Sequence, residues 1–338
     1  MPAPPFERRR FVAGAAAALL LAAAGAHGQE RRYTVAFANL TEEPTVTLEG
    51  TGFTGRDLRE SFALAARRLP VEMVFYDNER NNRRAVANAE AAVARRVDLY
   101  IQYHADAAAN SIVADRLRAA GIRILAVNYP VADAPLYTAD NLEAGRIAGD
   151  ALGRFAARTW RGQAVEGVLV GSLTANGDRV SERARGVEEG LRRHRPGVRI
   201  TALDTHGNPA QVGALLGKFL AARPAVKLLV GAMDDATALA VKNALEAAGR
   251  AADAAIVSHG LDHSVHGGVN DRKEIDPANR GSIVIGSVAF YLDRYGYEIL
   301  PLALRMLRGE PVPPRTVTAH RLVTAANVFL EYPPSDMN

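Results

Sequence analysis

The chain has 338 residues, 48% hydrophobic and 23% charged, with a net charge of +4. That length allows two domains with real cores, and the chain is too apolar and too weakly charged to be disordered. It has no cysteine, which removes disulfide scaffolds, zinc knuckles, iron–sulfur sites and cysteine nucleophiles together. The first 26 residues stand apart: Arg8-Arg9-Arg10-Phe11 precedes an alanine- and leucine-rich run from Val12 to Ala24, and Ala24-Gly25-Ala26 offers small residues to a signal peptidase. This reads as a twin-arginine-type signal peptide over 1–26, too short and too rich in small residues for a membrane anchor. It also carries a net two of the four excess positive charges, so the remainder is nearly balanced and no nucleic-acid partner is expected. No later segment is long and apolar enough to span a bilayer.

From Tyr33 onward, β-rich runs alternate with helical ones. Tyr33 to Phe37 reads as a strand, and Leu58, Phe62, Ala65, Ala66 and Leu69 mark one face of a helix. The strand Glu72 to Tyr76, the helix Arg83 to Ala94 and the strand Leu99 to Ile101 follow, then a helix from Ile112 to Ala120 stopped by Gly121. After the strand Ile122 to Val127 the pattern starts again, with a helix from Leu142 to Ala157 and the strand Gly167 to Val170. Next come the helix Val180 to His194, the strand Arg199 to Leu203, the helix Gln211 to Ala222 and the strand Val226 to Val230. The helix Thr237 to Ala248 and the strand Ala255 to Ser258 close the series. Leu117 to Gly121 and Leu245 to Gly249 sit in equivalent places, an internal echo that suggests two lobes of one architecture. The fold class is therefore α/β: two similar three-layer α/β/α lobes with parallel sheets. In such sheets ligands lie beyond the carboxyl ends of the strands. Those positions hold short polar groups: Asn39, Asn128-Tyr129, Gly171-Ser172, Asp234-Asp235 and Asp262. Carboxylates and amides can each engage two neighbouring hydroxyls, and aromatic residues (Phe53, Tyr129, Phe290) can cover the C–H face of a sugar ring. Each of these residues, taken alone, is equally a turn former or helix cap, and Asp235 is expected to cap its helix.

The order of these residues resembles the periplasmic sugar-binding proteins of ABC importers, the ribose-binding-protein-like group of type I solute-binding proteins. Asp140-Asn141-Leu142-Glu143-Ala144-Gly145, followed by Gly149, resembles the crossing into that family's second lobe. Arg183-Ala184-Arg185-Gly186-Val187 is similar to its Arg-x-x-Gly helix start, and Ala232 to Leu239, running to Ala248-Gly249, to its Asn-Asp helix. His259-Gly260-Leu261-Asp262 and Arg308 to Pro313 complete the set, so the resemblance covers essentially the whole mature chain. It implies a three-strand hinge between lobes at 31–139 plus 291–320 and 140–290 plus 321–338. It further implies a periplasmic, monomeric binding protein that closes on a polyhydroxylated ligand, such as a sugar, and presents it to an ABC permease, with no bond chemistry.

By the same resemblance, Asn39, Phe53, Asn128, Tyr129, Arg183, Asp234, Asp262 and Phe290 are the ligand-binding candidates. Asn128, Tyr129, Asp234 and Phe290 depart from the family's usual residues, and the segment from Glu42 to Gly52 departs from its compact opening. An alternative partner is a chemoreceptor or sensor kinase. A reading of another class is a secreted metal-dependent hydrolase using His259, Asp262, His263 and His266. The spacing of His263 and His266 does not match a helical metalloprotease pair. There is no phosphate-binding Lys-Ser/Thr pattern over Gly162 to Gly171 and no nucleophile elbow at Gly171-Ser172-Leu173, so no cofactor is implied.

Overall fold

The computed structural model describes residues 31–175, 179–223, 225–267 and 272–333, and the signal peptide expected at 1–26 lies outside them. The first lobe winds β1 (Tyr33–Asn39), α1 (Gly55–Ala66), β2 (Val71–Asp77), α2 (Asn82–Arg95), β3 (Leu99–Gln102), α3 (Ala107–Ala119), β4 (Arg123–Val127) and β5 (Leu136–Thr138). The second begins with α4 (Asn141–Thr159), β6 (Val165–Gly171), the short pair β7 (Thr174–Ala175) and β8 (Arg179–Val180), and α5 (Glu182–His194). It continues through β9 (Arg199–Asp204), α6 (Val212–Ala221), β10 (Lys227–Ala232), α7 (Asp235–Ala247), β11 (Ala254–Gly260) and β12 (Val284–Ala289). The chain then returns with α8 (Tyr295–Leu307) and β13 (Arg315–Val317), and ends on β14 (Arg321–Val323) and α9 (Val328–Glu331).

Two six-stranded sheets result, with orders β13-β5-β4-β3-β1-β2 and β14-β12-β11-β10-β6-β9. Strand for strand, the two orders are the same path, which gives the sequence echo its structural meaning. The pairs are parallel except at the second sheet's edge, where β14 runs antiparallel to β12. Each sheet is covered on both faces, so its central strands β1, β3, β6, β10 and β11 are largely buried along their length, while the edge strands β2, β9 and β13 are partly exposed. Val35, Phe37, Leu99 and Ile101 face α1 and α8, while Ala36, Ala38 and Tyr100 face α2 and α3. In the second lobe Leu169 and Leu229 face α4 and α5, and Val168, Val170 and Val230 face α6 and α7.

The chain crosses between the sheets three times: after β5, after β12 and after β13. His320 ties all three crossings. Its Nε2 accepts from the Asp140 backbone N–H at 3.0 Å, and its Nδ1 lies 2.9 Å from the Ala289 carbonyl. Since a carbonyl only accepts, Nδ1 carries the proton and the ring is neutral. The sequence-based elements are present, but β5, β7, β8, β12, α8, β13, β14 and α9 escaped the sequence reading. Most are strands of two or three residues, too short to show a period.

Candidate functional site

The carboxyl ends of the two sheets face one crevice. From the first lobe come Asn39, Tyr103, Asn128 and Tyr129; from the second come Arg183, Asp234, Asp262 and Phe290. A turn from the first lobe lies between them. Leu48 to Phe53 folds back on itself, with Thr51 N–H donating to the Leu48 carbonyl at 2.9 Å and Leu48 N–H to the Phe53 carbonyl at 2.8 Å. Glu49 (φ 55°) and Gly50 (φ 61°) both take the left-handed conformation, as a type I′ turn requires. Glycine is at ease there and glutamate is not. The start of α1 fixes the turn in place. Thr54 caps α1 in a capping box with Asp57. Asn39 Nδ2 donates to the Gly55 carbonyl at 2.7 Å, and a Cβ at Gly55 would lie 1.7 Å from the Thr41 carbonyl oxygen.

Arg183 reaches this turn from the first turn of α5, whose cap is Ser181. It is only 7% exposed, and each of its five N–H donors is used. Nε donates to Asn141 Oδ1 at 3.2 Å; Nη2 donates to the same oxygen at 2.9 Å and to the Glu49 carbonyl at 2.9 Å. Nη1 donates to the Gly50 carbonyl at 3.0 Å and to the Met233 carbonyl. The guanidinium also lies 4.3 Å above the Phe290 ring. Burial lowers its pKa to about 10 although Asp234 and Glu49 pull the other way. The glutamates beside it on α5 pair elsewhere, Glu182 with Arg185 and Glu188 with Arg192.

Asp262 follows β11 and is 6% exposed. Its Oδ1 accepts from Ser264 N–H at 2.7 Å, and its Oδ2 lies where a Cβ on Gly52 would come within 1.9 Å. Behind it sits Asp235, fully buried, whose Oδ2 accepts the Asp262 N–H at 2.8 Å while Oδ1 accepts from the hydroxyls of Ser258 and Ser287. Burial first, and the neighbouring Asp262 charge second, push the Asp235 carboxyl well above the usual range. The expectation that Asp235 caps α7 is corrected. Asp234 is the cap, accepting from Thr237 N–H at 2.7 Å and Thr237 Oγ1 at 2.8 Å, and Asp235 starts the helix and points into the core.

The eight candidates thus divide. Arg183 and Asp262 reach one turn, Arg183 at Glu49 and Gly50 and Asp262 beside Gly52, and Asn128 and Tyr129 face the Glu49 carboxylate from the other lobe; Phe290 is fully buried beneath the guanidinium. Asn39 Nδ2 holds the start of α1 while its buried Oδ1 has no partner, Asp234 is used in its helix cap, and Phe53 is buried in the core, edge-on to His263 at 6.3 Å. Two residues, Glu49 and Tyr103, were missed. Glu49 is half-buried, its carboxylate accepting from the Tyr103 hydroxyl at 2.5 Å. Burial of its carboxylate raises the Glu49 pKa, against the opposing pull of Tyr103, Arg183, Asn128 and Tyr129. The same burial pushes the Tyr103 hydroxyl well up and Tyr129 to about 12, so both remain donors. The Glu49-Gly50 dipeptide, inside the segment that departs from the resembled pattern, was the available signal.

His259 Nδ1 is 2.8 Å from the Ala232 carbonyl, His266 packs on the Tyr332 ring at 4.5 Å, and among the described residues no three His, Asp or Glu side chains are placed to hold a metal ion. A surface cavity of about 660 Å³ bounded by Arg31, Asp98 and Arg123 lies at the opposite, amino ends of the first lobe's strands.

Residues 46–311 match the profile of the periplasmic binding protein domain. The chain belongs to the periplasmic binding protein family. No curated protein sequence matches it. Among solved structures it is similar to an ABC transporter periplasmic solute-binding protein from Actinobacillus succinogenes 130z with bound D-allose, at 15% identity and a TM-score of 0.67, covering 87% of this chain and 98% of that one. It is similar to GanP, a glucose-galactose binding protein from Geobacillus stearothermophilus, at 18% identity and a TM-score of 0.62, covering 88% and 99%. An ABC transporter solute-binding protein from Bacillus halodurans C-125 with bound myo-inositol matches at 18% identity and a TM-score of 0.62, covering 90% and 98%. Membership gives the arrangement its meaning: periplasmic binding proteins hold small molecules in the crevice between two lobes. Among the described residues no helix is long and apolar enough to cross a membrane.

Proposed function

We propose that this protein captures a small polyhydroxylated molecule, a sugar or close relative, between its lobes in the periplasm and delivers it to an ABC importer without altering it. The observation that carries this is that Arg183 and Asp262 of one lobe and Asn128 and Tyr129 of the other converge on the same short turn in the crevice, in a member of this family. A guanidinium and a carboxylate grip neighbouring hydroxyls, and the buried Phe290 ring supports the guanidinium from behind. The similar structures from A. succinogenes and B. halodurans hold D-allose and myo-inositol, which supports the ligand class. Residues 1–26 would direct the chain through the twin-arginine route and be removed. The lobes would be 31–139 plus 291–320 and 140–290 plus 321–338, hinged at the three crossings, and the mature protein would act as a monomer.

The test is a thermal-shift screen of the mature chain against neutral sugars, polyols and sugar acids, followed by calorimetric titration of each compound that raises the midpoint. A ligand that binds only the folded state at about 100 times its Kd stabilises by about 2.7 kcal/mol. Hydrogen bonds to charged groups are worth about 1.5–3 kcal/mol, so Arg183→Ala and Asp262→Ala should each weaken binding about tenfold to a hundredfold while folding is retained. Unchanged affinity in both variants removes this site; a whole panel without a hit removes the function.

A further inference from the structure

We infer that the Glu49-Gly50 turn occupies the ligand's own place, and that the ligand which displaces it is a polyhydroxylated acid, its carboxylate taking over from that of Glu49. The inference rests on the sugar-capture reading and names the chemical class of its ligand. Three observations carry it. Arg183 spends two of its five donors on the carbonyls of Glu49 and Gly50, so it has none for a ligand until the turn withdraws. Gly52 lies so close to the Asp262 carboxylate that a Cβ there would push that side chain aside, so the turn also covers the second-lobe acceptor. The groups around the Glu49 carboxylate are donors: the Tyr103 hydroxyl at 2.5 Å, and the buried Asn128 Nδ2, which has no hydrogen-bond partner.

With the turn withdrawn, the crevice presents donors on the first-lobe side, an acceptor at Asp262 on the other, and Arg183 between. An acid with its carboxylate toward Tyr103 and Asn128 and its hydroxyls toward Asp262 satisfies both sides. It also replaces the lost Glu49 charge beside a deeply buried guanidinium, which a neutral sugar does not. The turn can leave: Gly50 and Gly52 are exposed along its outer edge, and Glu49 relaxes from an unfavourable left-handed conformation when it does.

Three proteins decide this: wild type, Glu49→Ala, which removes the competing carboxylate, and Gly52→Ala, whose methyl group collides with Asp262. Each is titrated with the matched pairs D-galacturonate and D-galactose, and D-gluconate and D-glucose, and its ligand-free form is measured by small-angle X-ray scattering. The wild type should bind an acid at least tenfold more tightly than its neutral counterpart. Both variants should bind that acid about tenfold more tightly again, because the binding-competent state no longer has to be won from the turn. Ligand-free wild type should scatter as the closed molecule and Gly52→Ala as a more extended one. A neutral sugar binding wild type as tightly as its acid, weaker acid binding in Glu49→Ala, or identical ligand-free profiles would each overturn the inference and leave sugar capture standing. Absence of binding to all three proteins by any of these compounds and by the wider panel fails the capture reading itself.

Discussion

Asp235 shows how one side chain sets the shape of a site it need not touch. Its carboxyl holds the Asp262 N–H and the hydroxyls of Ser258 and Ser287, joining the ends of β11 and β12 to the start of α7. Asp235→Ala should leave three buried donors unpaired at about 1–3 kcal/mol each, and so destabilise by about 3 kcal/mol or more in urea denaturation. Asp235→Asn keeps an oxygen for the Asp262 N–H and an NH₂ for the two serines, and should cost far less. The pH dependence has a definite sign. A folded pKa raised above the unfolded value means that stability is full below about pH 4 and is lost as pH rises toward the folded value. The asparagine variant has no such loss, so it should gain on the wild type between pH 4 and pH 8. A constant difference across that range would show that Asp235 is ionised in the folded protein.

At the scale of elements, the closest packing in the second lobe is α4 against α5, and glycines make it possible. A Cβ on Gly145 would lie 2.1 Å from the Arg183 carbonyl oxygen, one on Gly149 2.1 Å from that of Val187, and one on Gly186 2.2 Å from that of Leu142. These are backbone collisions that no side-chain rotation relieves. Gly145→Ala should therefore destabilise by about 1–3 kcal/mol or more. Because α5 carries Arg183, it should also weaken ligand binding in protein that remains folded. Gly121→Ala is the matched control: φ is +71° and nothing lies near its Cβ, so it should cost only about 1 kcal/mol and leave affinity unchanged. Equal losses of affinity in the two variants would remove the link between helix packing and the site.

Across the whole molecule, histidines are buried where the lobes and the chain's last segment meet. Burial lowers His259 to about 3 and His266 to about 4, and lowers His320 at the three crossings. In the unfolded chain each takes up a proton near pH 6.5, so their contribution to stability is complete above that pH and falls as pH drops toward the folded values. Each such group costs about 1.4 kcal/mol per pH unit inside that window. Protonating His320 also removes the acceptor for the Asp140 N–H, which loosens the hinge itself. The imidazole resonances of His259 and His266 should stay at their neutral positions from pH 8 down to pH 5. Amide exchange at Asp140 should be faster in His320→Phe than in wild type. Titration of either imidazole near pH 6.5 would contradict their burial.

The sequence by itself determined the alternation of strands and helices, the doubled α/β architecture and the positions at strand ends where a site would form. These depend on short-range regularities: apolar runs bounded by turn residues, and glycine where φ must be positive, as at Gly121 and Gly249. Asp262 was legible as a strand-end residue for the same reason, whereas Arg183 was named only through the family resemblance of Arg183-Ala184-Arg185-Gly186. Tertiary structure alone decided what meets them. Arg183 and Gly50 are 133 residues apart, and although Glu49-Gly50 signals a turn, nothing local in Thr47-Leu48-Glu49-Gly50-Thr51-Gly52 says that this turn enters the crevice. Local pattern could not settle which of Asp234 and Asp235 caps α7, because both side chains suit a cap and only the buried hydroxyls of Ser258 and Ser287 draw the second one inward. The short strands β5, β13 and β14 were silent as well. They are held by pairing with distant strands and by His320, and such contacts exist only once the chain has folded.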